Sequence, residues 1–241
     1  MSIDLKYTKK VIAFLDIMGF KSIINKTTNN SSFCELLISN LIELKGMENK
    51  KSLMGTGRIE EGKNVTVFSD SIVISYDLSL HNAIDKIIFD IIIMQIDLIA
   101  MGLLLRGGVT IGDVFHEGGV VLGPAMNRAY EIESKLSIYP RIMVDPILVK
   151  YACENTDSND IGRRAENNIL RFLAPCENSY YFTDFLSMDT ELGYEYGRFL
   201  RDVKKLIDDG VNSENLSVRS KYLWLKNYYD ETIKDVRVPL L

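Results

Sequence analysis

The chain has 241 residues, 46% hydrophobic and 25% charged, proportions that argue against a disordered chain and suit one large domain or a domain with an appendage. A net charge of −5 argues against a duplex-binding surface, because phosphate contacts need clustered Lys and Arg, yet it allows a small anionic ligand carried on a metal. The three cysteines, Cys34, Cys153 and Cys176, and the two histidines, His81 and His116, show no metal-ligand spacing. A zinc site is therefore not expected, and scattered thiols fit a reducing cytoplasm. The start MSIDLKYTKK lacks the apolar stretch of a secretory signal.

In chain order, the β-branched run 11–16 reads as a first strand ending in Asp16, followed by Gly19 and Phe20. After a polar gap at 25–32, apolar residues recur at helical spacing, with Asn30 and Ser31 as plausible caps. Residues 55–62 read as loop. Residues 64–76 read as a tight hairpin whose tip, Ser69-Asp70-Ser71, carries a second acid. The apolar stretch 87–105 holds Asp90, Gln95 and Asp97, which a spanning helix would accommodate only at high cost, so it predicts an amphipathic helix over 79–102 and no membrane association.

Residues 103–112, LLLRGGVTIG, predict a third strand with glycines for close approach. A turn at 113–119 with His116 as a polar turn residue, a short strand at 120–122 and a helix started by Gly123-Pro124 follow. Residues 141–145 predict a strand and 146–153 a helix. Then come a polar loop at 154–168, two short strands within 169–185, and helices over 191–207 and 216–236. The last carries Tyr222, Trp224, Tyr228 and Tyr229, read as a packed helix face. The order predicts an α+β fold with helices on one face of a mostly antiparallel sheet. Residues 1–150 would form the core, and 151–241 would complete or flank it.

Asp16 and Asp70 each end a buried apolar run beside small residues. Two carboxylates so delivered suit a divalent ion on a nucleoside triphosphate, which usually takes only one or two protein carboxylates. Either acid alone would more simply be a strand end in solvent.

Three stretches, in order, resemble the class III nucleotidyl cyclases: FLDIMGF, their metal-binding strand and turn beginning at Phe14; FSDSIVIS, their hairpin; and RGGVTIGDV followed by GPAMNRAYEIES. The resemblance covers roughly 11–145. It implies a cyclase fold with a ferredoxin-like core, active as a head-to-tail homodimer. Asp16, Asp70 and the Ile17 carbonyl would hold metal in one chain. Asn127 of the other would orient the ribose for attack of its 3′ hydroxyl on the α-phosphate. Gly19 and Phe20 would turn over the triphosphate, where backbone N–H groups face phosphate oxygens.

The departures matter. Where purine cyclases of this family place a Lys or Glu to read the base, this chain has Thr66, and a second reading position is Val120. The Arg one helical turn after the Asn is Glu131. Arg106, Arg128 and Arg141 are the candidates to replace that cation, and the sequence does not choose among them. With the YPRIMVD run and the aromatic tail, these departures resemble the pyrimidine cyclases of bacterial Pycsar anti-phage systems. That resemblance implies manganese, or magnesium, as cofactor and UTP converted to cyclic UMP, with CTP to cyclic CMP as the alternative. It also implies a cytoplasmic enzyme whose product activates a separate effector. A nucleotide sensor that has lost catalysis is the competing expectation.

Overall fold

The computed structural model describes residues 5–46, 62–155 and 168–235. The loop expected at 55–62, save Gly62, lies outside the described residues, as do most of the loop at 154–168 and the end of the last helix at 236.

The centre is an eight-stranded sheet. β1 (Thr8–Ile17) lies between β3 (Ser71–Asp77) and β4 (Leu105–Glu117) and pairs antiparallel with both. β2 (Lys63–Phe68) forms the expected hairpin with β3. Beyond β4 come β6 (Ile142–Val144), β8 (Tyr181–Thr183) and β7 (Leu173–Pro175), in the order β2-β3-β1-β4-β6-β8-β7, while β5 (Val120–Leu122) pairs with β4 off this path. Among the described residues only the β4–β6 pairing is parallel, so the class is α+β with a mostly antiparallel sheet, as expected.

Alternation along β1 divides the molecule. Val11, Ala13, Leu15 and Ile17 point into the main core. There they meet α3 (Ala83–Ala100), which is buried on nearly every turn, and α7 (Tyr196–Gly210), whose apolar residues recur at helical spacing. Ile12 and Phe14 point the other way and pack with Val73, Val114, Ala125 and Ala129. The last two belong to α4 (Pro124–Leu136). The helices therefore do not all share one face. The second face carries Ile12, Phe14, Val73 and Val114, too apolar to leave to water, and α4 covers it.

Gly108 lets α4 come so close: a Cβ there would sit 2.5 Å from the Ala129 carbonyl oxygen and 2.7 Å from Ile132 Cβ. Gly108 and Gly112 thus serve helix–sheet contact, whereas Gly107 lies against Leu15 and the Phe14 carbonyl of β1.

Other differences from expectation are local. α1 (Phe20–Thr27) runs into the expected polar gap, and α2 (Ser31–Gly46) follows with Asn30 Oδ1 accepting from Phe33 N at 3.0 Å, a side-chain N-cap. β4 runs through Glu117 where a turn was expected from Asp113, so the turn shrinks to Gly118-Gly119. α5 (Pro146–Glu154) is capped by Asp145. The helix expected over 191–207 is split into α6 (Asp189–Leu192), a 3₁₀ turn and α7. α8 (Leu216–Asp235) packs its aromatic residues as expected: Trp224 stacks on Tyr139 at 5.6 Å, and Tyr228 lies edge-on to Phe182 and Phe185. In α3 the two acids part company, with Asp90 buried and Asp97 exposed. No helix of the described residues is long and apolar enough to cross a membrane.

Candidate active site

Asp16 is the last residue of β1 to face α4. Register places it opposite Ser71 on β3 and Arg106 on β4. Arg106 Nε donates to Asp16 Oδ2 at 2.9 Å, and its Nη2 lies 2.7 Å from Glu133 Oε1 on α4. Asp70 sits in the β2–β3 turn beside Ser69, whose φ of 56° is left-handed. The Asp70 carbonyl oxygen accepts from Ile17 N at 2.9 Å, stitching the two acid-bearing segments together.

The electrostatics follow from this crowding. Burial raises the Asp16 carboxyl above its ordinary value; Arg106 opposes that, Asp70 reinforces it, and Lys221 of α8 lowers it. Burial likewise raises Glu133, with Arg106 opposing and the charges of Asp16 and Asp70 adding to the rise. Three carboxyl groups therefore share one field, relieved chiefly by the single guanidinium of Arg106. Among the described residues no group of three or more His, Cys, Asp or Glu is arranged to hold a metal ion, and Glu133 is paired with Arg106. Asp16, Asp70 and the Ile17 carbonyl remain, an all-oxygen set of like charges that fits a hard divalent cation.

Directly after β1, Met18 N bonds to Leu104 O, and Gly19 takes a left-handed φ of 73° that begins α1. Gly19 is exposed, and Phe20 packs against the main core. The first turn of α1 has neither a side-chain cap nor an acid, leaving its N-terminal amides open to an anion.

The other expected residues lie farther off. Phe14 is half-buried, edge-on to Tyr130 at 5.4 Å. Thr66 is half-buried on β2, two strands from β1. Asn127 is exposed near the start of α4, six residues and so about 9 Å along the axis from Glu133 at the Asp16 end. Arg141 directs its side chain into a box formed by Tyr139, Phe182 and Trp224, with Nη1 3.0 Å from Cys176 Sγ. Arg128 is not a freely solvated helix charge: it bonds Asp145 at 2.8 Å and Tyr180 at 2.8 Å, and the Asp145 bond raises its pKa. Glu131 is exposed and faces Lys135 at 3.5 Å. Val120 is exposed on the β4–β5 arm. Beside it an apolar groove of about 740 Å³ is lined by Leu5, Tyr7, Phe115, Val120 and Leu122.

Sequence reasoning missed three residues. Glu133 sits on the buried stripe Ala125, Ala129, Ile132, Glu133, and an acid on an apolar helix stripe was a readable signal. Lys221 offered none, since docking of α8 alone brings it near Asp16. His116 is not a turn residue. It is buried on β4, with Nε2 3.0 Å from Thr66 Oγ1 and Nδ1 2.8 Å from Ser75 Oγ. Burial, aided by Lys10 and Lys45, lowers its pKa to about 4 and keeps it neutral.

No family model matches this chain, and no curated protein does. Solved structures do. The monomeric guanylyl cyclase domain of the RhoGC fusion protein from the aquatic fungus Blastocladiella emersonii is 14% identical, with 74% of this chain and 95% of that chain covered, at a TM-score of 0.47. An adenylate/guanylate cyclase/hydrolase from Silicibacter pomeroyi is 16% identical over 74% and 95%, at 0.42. The catalytic core of a rhodopsin-guanylyl cyclase with converted specificity, in complex with ATPαS, is 13% identical over 74% and 96%, at 0.45. At these values the functional reading stands on this chain's own residues.

Proposed function

We propose that this protein is a nucleotidyl cyclase that converts UTP to 3′,5′-cyclic UMP and diphosphate. The observation that carries the reading is the convergence of Asp16 and Asp70 at one sheet end, the Asp70 charge helping to raise the Asp16 carboxyl, beside the open amide turn at Gly19. A divalent cation, manganese or magnesium, held by Asp16, Asp70 and the Ile17 carbonyl would neutralise the triphosphate when bound. The amides after Gly19 would receive phosphate oxygens. Arg106, tied to both Asp16 and Glu133, fixes the carboxylate in place and is a positioning residue in this reading. Lys221 supplies a second positive charge near Asp16, and the α4 position where a cation was expected holds Glu131.

Asn127 is exposed on α4, about 9 Å along the helix axis from Glu133, which supports its use on a partner's site. In a head-to-tail homodimer, Asn127 of the partner subunit would orient the ribose so that the 3′ hydroxyl attacks the α-phosphorus as diphosphate leaves. The exposed apolar groove on the β4–β5 arm supports a second copy as the partner. Thr66 is the base-facing position. Its lack of charge supports a pyrimidine over a purine, since a site without the expected ionic readers does not favour adenine or guanine. In this reading the product acts as a messenger for a separate effector in anti-phage defence.

Incubation with each of the four ribonucleoside triphosphates and manganese, with products resolved by chromatography, tests the reading. One cyclic pyrimidine nucleotide, lost in Asp16→Ala, is the expected result. A cyclic purine would refute the assignment of Thr66. Saturable binding without product would make the protein a nucleotide sensor.

A further inference from the structure

His116, Ser75 and Thr66 form a chain of three polar side chains on the α4 face of the sheet, the first two buried. Ser75 is fully buried and His116 is 1% exposed. β4, having passed β1, brings the imidazole over β3 and β2, where Nδ1 meets Ser75 Oγ at 2.8 Å and Nε2 meets Thr66 Oγ1 at 3.0 Å. His116 is therefore closed off from any ligand, while Thr66 is only half-buried.

The direction of these bonds is fixed by what Ser75 can do. A buried hydroxyl needs somewhere to place its hydrogen. Among the described residues Ser75 Oγ has one side-chain partner, His116 Nδ1, so Ser75 donates to it. A neutral imidazole carries one N–H; with Nδ1 accepting, that N–H is on Nε2. Nε2–H then donates to Thr66 Oγ1. The Thr66 oxygen is held as an acceptor from within, and its own hydrogen is free to point outward.

We propose that His116 is the positioning residue that sets Thr66 as an outward donor, so that the base position selects a carbonyl oxygen. Resting on the assignment of Thr66 to the base, this favours uracil, which presents O4, over cytosine, which presents an amino group there. The reverse tautomer would hold Thr66 as a donor inward and leave its lone pairs for the amino group. One hydrogen on one buried ring thus distinguishes the two pyrimidines.

Two measurements test the chain of bonds. Nitrogen-15 and carbon-13 spectra of the imidazole in the intact protein report the tautomer whether or not nucleotide is turned over. A proton on Nε2 is expected, and one on Nδ1 would overturn the inference while leaving the cyclase reading untouched. The second is the ratio of kcat/KM for UTP over CTP in variants. His116→Gln, whose amide can still donate to Thr66, should keep the preference, whereas His116→Phe should shrink it about tenfold, the discrimination expected of one directed hydrogen bond near 1.4 kcal/mol. Ser75→Ala, a smaller change that frees the tautomer, should shrink the ratio without loss of fold. An unchanged ratio in both His116→Phe and Ser75→Ala would refute the positioning role. A wild-type preference for CTP would refute the base assignment even with Nε2 protonated. Wild-type protein inactive with every triphosphate would refute the cyclase reading, and the base selection that rests on it, without touching the tautomer.

Discussion

Replacing Asp90 by Asn should unfasten the hairpin that carries Asp70. Asp90 on α3 is 2% exposed; its Oδ2 lies 2.6 Å from Lys63 Nζ and 2.5 Å from the Tyr76 hydroxyl. Lys63 is 4% exposed, opens β2, and lies 5.3 Å over the Tyr76 ring. The substitution keeps volume but leaves an ammonium in the core with no counter-charge among the described residues. Breaking a buried pair from one side costs about 3–5 kcal/mol. For a chain of this length each kcal/mol moves the melting midpoint by about 2–4 °C, so a drop of about 10 °C is expected by circular dichroism. Lys63→Met combined with Asp90→Leu removes both charges and should recover most of the loss, a coupling of at least about 2 kcal/mol in a double-mutant cycle. Loss below about 1 kcal/mol in Asp90→Asn, or a double variant no better than the singles, would refute the reasoning.

Other outcomes are expected. Manganese at a hundredfold excess over its dissociation constant should stabilise the protein by about 2.7 kcal/mol, read as a rise in melting temperature, and Asp70→Ala should abolish both that rise and turnover. Gly108→Ala should destabilise by about 1–3 kcal/mol, because the new Cβ meets the Ala129 carbonyl and Ile132; normal stability would mean that α4 sits farther from the sheet. Lys221→Met should raise KM for the triphosphate about tenfold without weakening manganese binding followed by calorimetry. His116, held near pKa 4 in the fold against 6.5 unfolded, binds its proton more readily when unfolded. Its contribution is intact above pH 6.5 and is lost as pH falls toward 4, by about 3 kcal/mol in all. Chemical denaturation at pH 7.5 and 4.5 should show this, and His116→Gln should lack that part of the pH dependence.

Much of the fold was readable because local chemistry and tertiary packing agreed. The hairpin around Asp70 announced itself by two apolar runs and a polar break, and α4 by Gly123-Pro124. β4 was legible only to Gly112 because its outer half, Asp113 to Glu117, does not alternate polar and apolar residues and runs into two glycines, which dominate a local reading. The side of the sheet taken by α4 was hidden for a different reason: it depends on which alternate residues of β1 meet which helix, a matter of long-range pairing. Within the site, Asp16 and Asp70 stood out because each ends an apolar run. The partners of those acids did not. Arg106 to Asp16 spans 90 residues, and Lys221 arrives only when α8 docks. The same holds for His116, whose neutrality comes from burial and from two lysines on other elements.

β4 also imposes a rule on how this chain can vary in length. Arg106 and His116 stand on the same face of one continuous strand, ten residues apart, the first holding Asp16 and the second Thr66. Because side chains alternate at every residue, an odd insertion or deletion between them would turn one of the two to the opposite face, however well the strand itself reformed. Related sequences should therefore change length freely at the Gly118-Gly119 tip but keep this interval unchanged or altered by even steps, so that alignment gaps become a test of whether both ends serve one site.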